Sequence, residues 1–294
     1  MEHEILLYYK YIPIDNPEEL MRAHKEFMAP LGMTGRIIIS HEGINGTCEG
    51  TLEASEKYQA WLTSNPRFAD MWFKKSPGLG DSFPKLSVKA RKEIVSAYLG
   101  AEDFNPADFT APHLPAEKLH EWLQSDDKPV IIDMRNQYEF KVGHFEDSVL
   151  PPLENFRDLP KVLPDLEKYK DKKVVTVCTG GVRCEKAAGY LVKKGFKDVH
   201  QLEGGMVTYM EKFPKGAFKG KLYVFDKRVA VSVPGGEDNE VVGRCIKCDG
   251  PSERYINCGN LACHDHVIVC LDCAQESDTC SDKCAEILSN KTLA

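Results

Sequence analysis

The stretch from Val174 to Gly195, VVTVCTGGVRCEKAAGYLVKKG, decides which fold this sequence predicts. It begins with β-branched residues that are typical of a buried strand, and it ends in a helical pattern that Gly195 stops. A short loop with two glycines, Gly180 and Gly181, joins the strand to the helix. A strand, a tight loop and a helix in this order indicate a parallel sheet with helices on both faces.

The segments around this stretch continue the alternation of strands and helices. HLPAEKLHEWLQS (113–125) predicts a helix, PVIIDMR (129–135) a buried strand, and VHQLEGG (199–205) a further strand and turn. We expect this α/β domain to span residues 116–218. A stretch rich in Pro, Asp and Asn at 100–115 precedes it and is typical of a linker.

The first 99 residues predict a separate domain. Strand patterns lie at ILLYYKYI, RIIIS, MWFKKS and LSVKARKEIV, and helical patterns at EELMRAHKEFM and TLEASEKYQAWLTS. The order β-α-β-β-α-β predicts a ferredoxin-like α+β sandwich. After the central domain, LYVFDKRVAVSV predicts a hairpin that turns near Asp226 and Lys227, within a hairpin and connector at 219–239.

Composition limits the classes of function. The chain has 294 residues and a formal net charge of -7, which argues against a general affinity for nucleic acid but allows a local basic stripe. No apolar run approaches the roughly 20 residues needed to span a bilayer. The N-terminus lacks the basic and apolar regions of a signal peptide, so we expect a cytoplasmic protein without a membrane partner.

Cys178 is the candidate nucleophile of the sequence. The pattern places its sulfur over a helix N-terminus and a concave set of backbone N–H groups, both of which stabilise a thiolate and lower its pKa. The loop residues Thr179, Gly180, Gly181 and Val182 curl around the sulfur, and Arg183 adds a positive charge at the far end. The alternative is an inert cysteine buried for packing alone.

The Cys178 loop resembles a rhodanese active site. Upstream, IIDMRNQYEFKVGH (131–144) is similar to a second rhodanese signature, with Asp133 and Arg135 near the mouth of the loop. We interpret these two residues as a supporting scaffold rather than as catalytic groups. The loop has six residues from Cys178 to Arg183, which resembles the sulfurtransferases, whose cysteine carries a persulfide, more than the related phosphatases with their longer loop.

Cys184 directly follows the loop, where a rhodanese commonly has Ser or Thr. Two interpretations stand side by side. Cys184 is a resolving thiol that forms a disulfide with a modified Cys178, or it points into the core between helix and sheet.

A more specific resemblance covers most of the chain, from about Ile5 to Tyr209. Its segments are YYKYIPIDNPEEL, GRIIISHEGINGT, FPKLSVKARKEIV, DMRNQYEFKVGHF and CTGGVRCEKAAGYLVKKGF. They resemble the rhodanese-domain tRNA uridine hydroxylases. The resemblance implies an oxidoreductase that uses molecular oxygen as co-substrate to hydroxylate C5 of the wobble uridine, position 34, with Cys178 as catalytic cysteine. We recognise no motif for an organic cofactor.

A tRNA partner requires a basic surface, and the best candidate lies in the lysine-rich run from Lys74 to Lys92. Strand alternation would place Lys85, Lys89 and Arg91 on one face, where they could contact phosphates. A solvated strand face is the alternative. EGINGT (42–47) is a turn or, as a weaker hypothesis, part of the substrate surface facing Cys178.

Eight of the eleven cysteines lie in the tail at 240–294. They are Cys245, Cys248, Cys258, Cys263, Cys270, Cys273, Cys280 and Cys284. Two CxxC pairs in a chain expected to be cytoplasmic predict two structural zinc sites of four thiolates each. His264 or His266 could replace one cysteine, an iron–sulfur cluster or disulfides are the alternatives, and the pairing into sites is open.

Three functions follow from these features. The first is a tRNA wobble-uridine 5-hydroxylase. The second is a sulfurtransferase that passes sulfur through a Cys178 persulfide. The third is a zinc-dependent RNA- or protein-binding adaptor with a vestigial loop, which the intact cysteine, glycines and arginine argue against.

Overall fold

A computed structural model describes the backbone of residues 2–292 and the side chains of residues 2–289. The N-terminal part is a five-stranded sheet in the order β4-β1-β3-β2-β5 with two helices on one face. Its elements are β1 (His3–Tyr11), α1 (Pro17–Met28), β2 (Thr34–Ser40), β3 (Gly43–Thr51), α2 (Leu52–Thr63), β4 (Lys74–Pro77) and β5 (Leu86–Ala90). The predicted ferredoxin-like domain is confirmed, and β5 extends it by pairing parallel to β2.

The two faces of this sheet have different partners. Leu6, Tyr8, Ile37 and Ile39 are fully buried in the core beneath α1 and α2, because every second residue of a strand points to the same face. The opposite face carries Leu7, Tyr9, Thr47, Asn45, Arg36 and Lys89, whose strand register places them side by side from β1 across to β5. This second face, hereafter the open face, turns toward the central domain.

The central domain is built on a parallel sheet in the order β6-β10-β9-β7. Its elements are β6 (His113–Leu114), α3 (Ala116–Gln124), β7 (Val130–Asp133), α4 (Gln137–Phe140), β8 (Gly143–Phe145), α5 (Leu159–Leu166), β9 (Lys173–Val177), α6 (Val182–Lys193), β10 (Asp198–Leu202), α7 (Gly205–Lys212) and β11 (Phe218–Gly220). One apolar cluster includes α5 and α6, and a second includes α3 and α7. The predicted sheet with helices on both faces is confirmed.

The stretch expected as a linker contains structure that the sequence did not indicate. His113–Leu114 forms strand β6, which pairs with β10, so the helix predicted from His113 begins only at Ala116. Upstream, Asp103 pairs with Lys186 of α6 at 2.7 Å. A pattern rich in Pro and Asp identifies irregular backbone but does not reveal whether that backbone packs against a neighbour.

The C-terminal part begins with the predicted hairpin, formed by β12 (Leu222–Tyr223) and β13 (Ala230–Val231). It continues with β14 (Tyr255–Asn257), β15 (His266–Ile268), α8 (Leu271–Glu276) and α9 (Asp282–Thr292). Tyr223 of the hairpin bonds His266 of β15 at 3.0 Å, which links the cysteine-rich tail to the hairpin. Among the described residues, none of the helices has the length and apolar character needed to cross a membrane.

Candidate active site and metal centres

Cys178 lies directly after β9, at the carboxyl edge of the parallel sheet, and α6 begins four residues later at Val182. Its side chain is fully buried, and the Gly181 N–H donates to the Cys178 sulfur at 3.2 Å. Gly181 has a φ of +105°, which a side chain rarely adopts, and a Cβ there would stand 2.7 Å from the Tyr9 hydroxyl. The loop therefore curls around the sulfur only because this position is glycine.

The environment of Cys178 favours the thiolate. Burial alone raises the pKa of the thiol, but a hydrogen bond from the Cys184 thiol, the Arg183 charge and the backbone amides of Arg183 and Cys184 together outweigh it. The net result is a Cys178 pKa of about 6, well below its usual value. This matches the expectation that helix N-terminus and loop amides stabilise a negative sulfur.

Arg183 carries its positive charge at the far end of the loop, where a carboxylate partners the guanidinium. Its guanidinium forms a buried bidentate pair with Glu139, with Nη1–Oε2 at 2.6 Å and Nη2–Oε1 at 2.8 Å. Glu139 lies in α4, within the upstream segment 131–144 that resembles the second rhodanese signature. Arg183 thus acts on Cys178 through its nearby charge, while its strongest donors are occupied.

Cys184 lies fully buried on the first turn of α6, next to Cys178. Burial first, and then the hydrogen bond to Cys178, raise the pKa of Cys184 well above its usual value. Cys184 is therefore the protonated partner while Cys178 carries the negative charge. The thiol lies in the core and adjacent to Cys178, and its role as a resolving thiol stays a prediction.

Asp133 and Arg135 form a buried pair behind the loop rather than in it. Arg135 Nη2 donates to Asp133 Oδ2 and to the Gly143 carbonyl, both at 2.7 Å, and both side chains are inaccessible to solvent. They do not line the cavity next to Cys178. Their role as a supporting scaffold stays a prediction, which this buried pair supports.

A cavity of about 390 Å³ opens onto Cys178 and Thr179. Three parts of the chain enclose it: the open face of the N-terminal sheet, the Cys178 loop with neighbouring segments, and the hairpin. The wall residues beyond the loop are Leu7, Tyr9, Asn45, Thr47, Val95, Ser96, Asn136, Asn155, Phe156, Arg157 and Phe225. Asn45 and Thr47 place part of EGINGT in this wall, as its weaker hypothesis required.

The contact between the two domains is polar and buried. Tyr9 donates to Glu185 Oε1 at 3.0 Å, and Lys186 reaches Glu42 of EGINGT at 2.8 Å with no exposed side-chain surface. Since Glu185 and Lys186 directly follow Cys184 on α6, the N-terminal domain is fixed against the helix that carries the loop.

The lysine-rich run from Lys74 to Lys92 does not form one surface. Lys89 in β5 and Lys85 and Arg91 on either side of β5 are exposed, but Lys74 is only 6 % exposed and its Nζ lies 4.4 Å from the centroid of the Trp72 ring. Burial lowers the pKa of Lys74 to about 8. The lysine therefore belongs to the packed region beside Tyr9.

The eight tail cysteines form two clusters in which every sulfur lies within 4.8 Å of the others. One contains Cys245, Cys248, Cys270 and Cys273, and the other Cys258, Cys263, Cys280 and Cys284. Neighbouring sulfurs lie 3.5–3.7 Å apart, close to the roughly 3.8 Å edge of a tetrahedron with zinc–sulfur bonds of about 2.3 Å. The donor sets fit metal ions, and their pairing along the chain is crossed.

Neither histidine near these clusters is a ligand in this arrangement. His266 bonds Tyr223 through Nε2 and Asn257 through Nδ1, at 3.0 and 2.8 Å. His264 lies in neither cluster. The expectation that one of them could replace a cysteine is wrong, because four thiolates already complete each set.

Comparisons with known proteins match this organisation. Residues 3–94 match the family described as UPF0176 acylphosphatase like domain, residues 115–212 the Rhodanese-like domain, and residues 219–285 the Rhodanase C-terminal family. A tRNA uridine(34) hydroxylase of Staphylococcus saprophyticus is 45 % identical over 99 % of this chain and 92 % of its own. The chain belongs to the tRNA uridine(34) hydroxylase family. Family members from Staphylococcus carnosus and Bacillus pumilus are 42 % and 44 % identical, covering 100 % and 96 % of this chain and 93 % and 88 % of their own.

Sequence reasoning missed several wall residues of the cavity. Phe225 could have been found, because it directly precedes the predicted turn at Asp226 and Lys227, where side chains are commonly exposed. The structure shows that this aromatic residue is exposed. Tyr9 could have been found from its position on the alternate face of β1. Arg157 and Asn136 carried no signal, because only tertiary contacts bring their segments to Cys178.

Proposed function

We propose that this chain hydroxylates C5 of the wobble uridine, position 34, of tRNA in an oxygen-dependent reaction, with Cys178 as the reactive thiol. Membership of the tRNA uridine(34) hydroxylase family over nearly the full chain is the observation that carries this proposal. The cavity at Cys178 supports it, since about 390 Å³ lies in the range of small-ligand sites.

The residues of the loop have separate roles in this proposal. Cys178 supplies a nucleophilic sulfur that is ionised near neutral pH, and the loop amides together with the Cys184 thiol hold its charge. The Arg183–Glu139 pair keeps the loop in position. Molecular oxygen is the co-substrate, and the enzyme is an oxidoreductase.

The RNA follows the open face of the N-terminal sheet. Asn45 and Thr47 belong to the cavity wall, and the strand register continues this face through Arg36 on β2 to Lys89 on β5. Because adjacent strands lie about 4.8 Å apart, the basic edge is roughly 10 Å from β3. Lys85, Lys89 and Arg91 contact phosphates beyond the nucleotide that enters the cavity.

The two thiolate clusters each hold one structural zinc ion. Four cysteine ligands fill all positions of a tetrahedral ion, which leaves none for a reacting group. Zinc supplies folding free energy to a tail that has few large apolar residues of its own. The protein acts in the cytoplasm, where tRNA is found and thiolates stay reduced.

The chain divides into functional units that agree with this assignment. The units are an N-terminal domain at 1–99, a connecting segment at 100–115, a rhodanese-like domain at 116–218, a hairpin and connector at 219–239 and a zinc-binding tail at 240–294. The N-terminal domain, the connecting segment and the hairpin each contact the rhodanese-like domain, which carries Cys178.

The test is a reaction of purified protein with unmodified tRNA in air, followed by digestion and mass spectrometry of the nucleosides. We expect 5-hydroxyuridine from the wild-type protein, none without oxygen and none from Cys178→Ser. Cys48→Ala is the matched control, because Cys48 is also buried but lies in the N-terminal core.

An absence of 5-hydroxyuridine with wild-type protein, air and a reductant would contradict the proposal. A thiosulfate–cyanide assay on the same preparation then distinguishes sulfur transfer through Cys178, which would be the remaining activity of a rhodanese-type loop.

A further inference from the structure

The cavity beside Cys178 has aromatic, amide and cationic side chains in its wall, among them Phe225, Asn136 and Arg157. We propose that it receives the target nucleotide turned out of its strand, with Phe225 stacking on the base and Asn136 hydrogen-bonding to the base edge. This inference rests on the proposed function for the identity of the nucleotide, a uridine. It assigns residues outside the Cys178 loop to substrate recognition.

Phe225 is suited to stack on a base. Phe225 lines the cavity, and 44 % of its surface is exposed. The centroid of its ring lies 6.0 Å from the guanidinium carbon of Arg183. An exposed aromatic ring over a cavity offers a flat apolar surface, and bases turned out of a strand are commonly held on such rings.

The hairpin holds Phe225 in place before any ligand arrives. Its turn is anchored to the N-terminal domain, since the Lys227 N–H donates to the Ser82 carbonyl at 3.0 Å and Arg228 donates to the Pro77 carbonyl at 3.0 Å. The ring also contacts Tyr223 edge-on, with centroids 5.3 Å apart. A preorganised platform costs less conformational entropy on binding than a mobile one.

Asn136 is a wall residue of the same cavity and has one buried polar atom without a partner. It is 9 % exposed, its Nδ2 donates to the Tyr138 hydroxyl at 2.7 Å, and its Oδ1 has no hydrogen-bond partner. Asn136 and Glu139 have the arrangement of a helix-capping box, but the Glu139 N–H donates to the Asn136 carbonyl at 3.0 Å and not to Oδ1. A buried amide oxygen without a partner is costly unless a ligand completes it.

Uracil can form a hydrogen bond with Asn136 in either of the two orientations of the Asn136 side-chain amide. With Oδ1 free, Asn136 accepts from N3–H of the base. With the amide turned so that Oδ1 accepts from Tyr138, the free Nδ2 donates to O2 or O4 of the base. An apolar ligand would leave the unpaired atom unsatisfied.

Arg157 supplies the charge that the nucleotide's phosphate requires. It is an exposed wall residue whose guanidinium carbon stands 6.0 Å from the Tyr98 ring centroid. Within the described side chains it forms no ion pair with a carboxylate. The cavity wall therefore combines an aromatic ring, an amide and an exposed cation, which are the three parts of a nucleotide site.

The experiment measures binding of two anticodon stem-loop RNAs that differ only at position 34, one with uridine and one abasic. Affinities are determined without oxygen, so that no turnover occurs, for the wild type, Phe225→Ala, Phe225→Tyr and the control Phe109→Ala. Phe109 is a partly exposed phenylalanine that packs on Phe104 away from the cavity.

We expect the wild type to bind the uridine RNA about tenfold or more tightly than the abasic RNA, as base–aromatic stacking requires. Phe225→Ala should lose this ratio, Phe225→Tyr should keep it because its ring still stacks, and Phe109→Ala should keep it as well. Asn136→Ala should reduce the ratio in part. Unchanged zinc content and thermal midpoint verify that each variant folds.

An abasic RNA that binds the wild type as tightly as the uridine RNA would overturn the inference, as would a ratio that survives in Phe225→Ala. If the chain is not a hydroxylase, the result is different. The wild type would still bind the uridine RNA more tightly than the abasic RNA, but no 5-hydroxyuridine would form when oxygen is admitted.

Discussion

At the scale of single residues, the site depends on how a fully buried sulfur keeps its negative charge. Burial opposes ionisation of Cys178, and only the Cys184 thiol, the Arg183 charge and the loop amides reverse the sign of the shift. The two thiols thus have opposite tendencies, with Cys178 acidic and Cys184 protonated.

Cys178 should react with iodoacetamide with a midpoint near pH 6, because the thiolate is the reacting form and the Cys178 pKa is about 6. Cys184→Ala should move this midpoint upward, since the thiolate loses a hydrogen-bond donor. Cys184→Ser keeps a donor and should lie closer to the wild type. Mass spectrometry of the Cys178 peptide as a function of pH gives each midpoint.

Identical midpoints in the wild type and Cys184→Ala would mean that Cys184 does not stabilise the thiolate. Cys48→Ala serves as control, since Cys48 lies in the core of the other domain.

At the scale of elements, one ion pair joins the two signature segments of the central domain. Glu139 on α4 and Arg183 on α6 are 44 positions apart in sequence and meet through two buried contacts. Glu139 also accepts from the Asn136 N–H at 2.9 Å, so the same carboxylate orders the segment that carries Asn136.

Glu139→Ala should lower the free energy of unfolding by about 3–5 kcal/mol, because it leaves the Arg183 charge buried without its partner. Urea unfolding followed by circular dichroism measures the loss. Glu53→Gln is the control, as it breaks an exposed pair with Lys57 and should leave the curve unchanged. Equal curves for Glu139→Ala and Glu53→Gln would show that the buried pair contributes nothing to stability.

Strand β5 extends the open face from the cavity to an exposed basic edge. Lys89→Glu and Arg36→Glu should each weaken tRNA binding and reduce the slope of log affinity against log salt by about one, as expected for loss of a phosphate contact. Lys25 lies on α1, which covers the other face of the sheet, so Lys25→Glu should change neither the affinity for tRNA nor the salt slope. Fluorescence titrations at several salt concentrations measure the slopes, and equal effects of Lys89→Glu and Lys25→Glu would exclude β5 from the interface.

At the scale of the whole molecule, the cysteine-rich tail supports the hairpin that closes the cavity. Tyr223 contacts His266 and Tyr255 of the tail, and Phe225 follows two residues later. Tyr255 also donates a hydrogen bond to the Tyr138 carbonyl of the central domain. We therefore expect metal binding in the tail to affect the position of Phe225 without any contact with Cys178.

Metal analysis should give two zinc ions for each wild-type chain, one for Cys273→Ser and one for Cys284→Ser, because the two substitutions fall in different clusters. Cys48→Ala should retain both ions. The variants that lose zinc should also lose hydroxylation, while their Cys178 still reacts with iodoacetamide near pH 6. Iron and sulfide in place of zinc would identify the clusters as iron–sulfur centres instead.

Local patterns of the sequence determined a large part of this protein. The alternation of strands and helices predicted both domain folds, since periods of 2 and 3.6 residues report which face of an element is buried. The Cys178 loop was recognisable because its strand, glycines and helix start are contiguous. The eight tail cysteines were recognisable as candidate ligands from their clustering and from the two CxxC pairs, Cys245–Cys248 and Cys270–Cys273.

Only the tertiary structure decided which of these pieces meet. The crossed assignment of cysteines to two clusters, the Glu139–Arg183 pair, and the wall formed by Asn136, Arg157 and Phe225 all join residues far apart in sequence. Periodicity records the burial of a face but not its partner, because the same apolar or polar pattern can pack against many neighbours. The candidate nucleophile Cys178 was therefore recognisable in the sequence, whereas the cavity beside it arises from three segments brought together by folding.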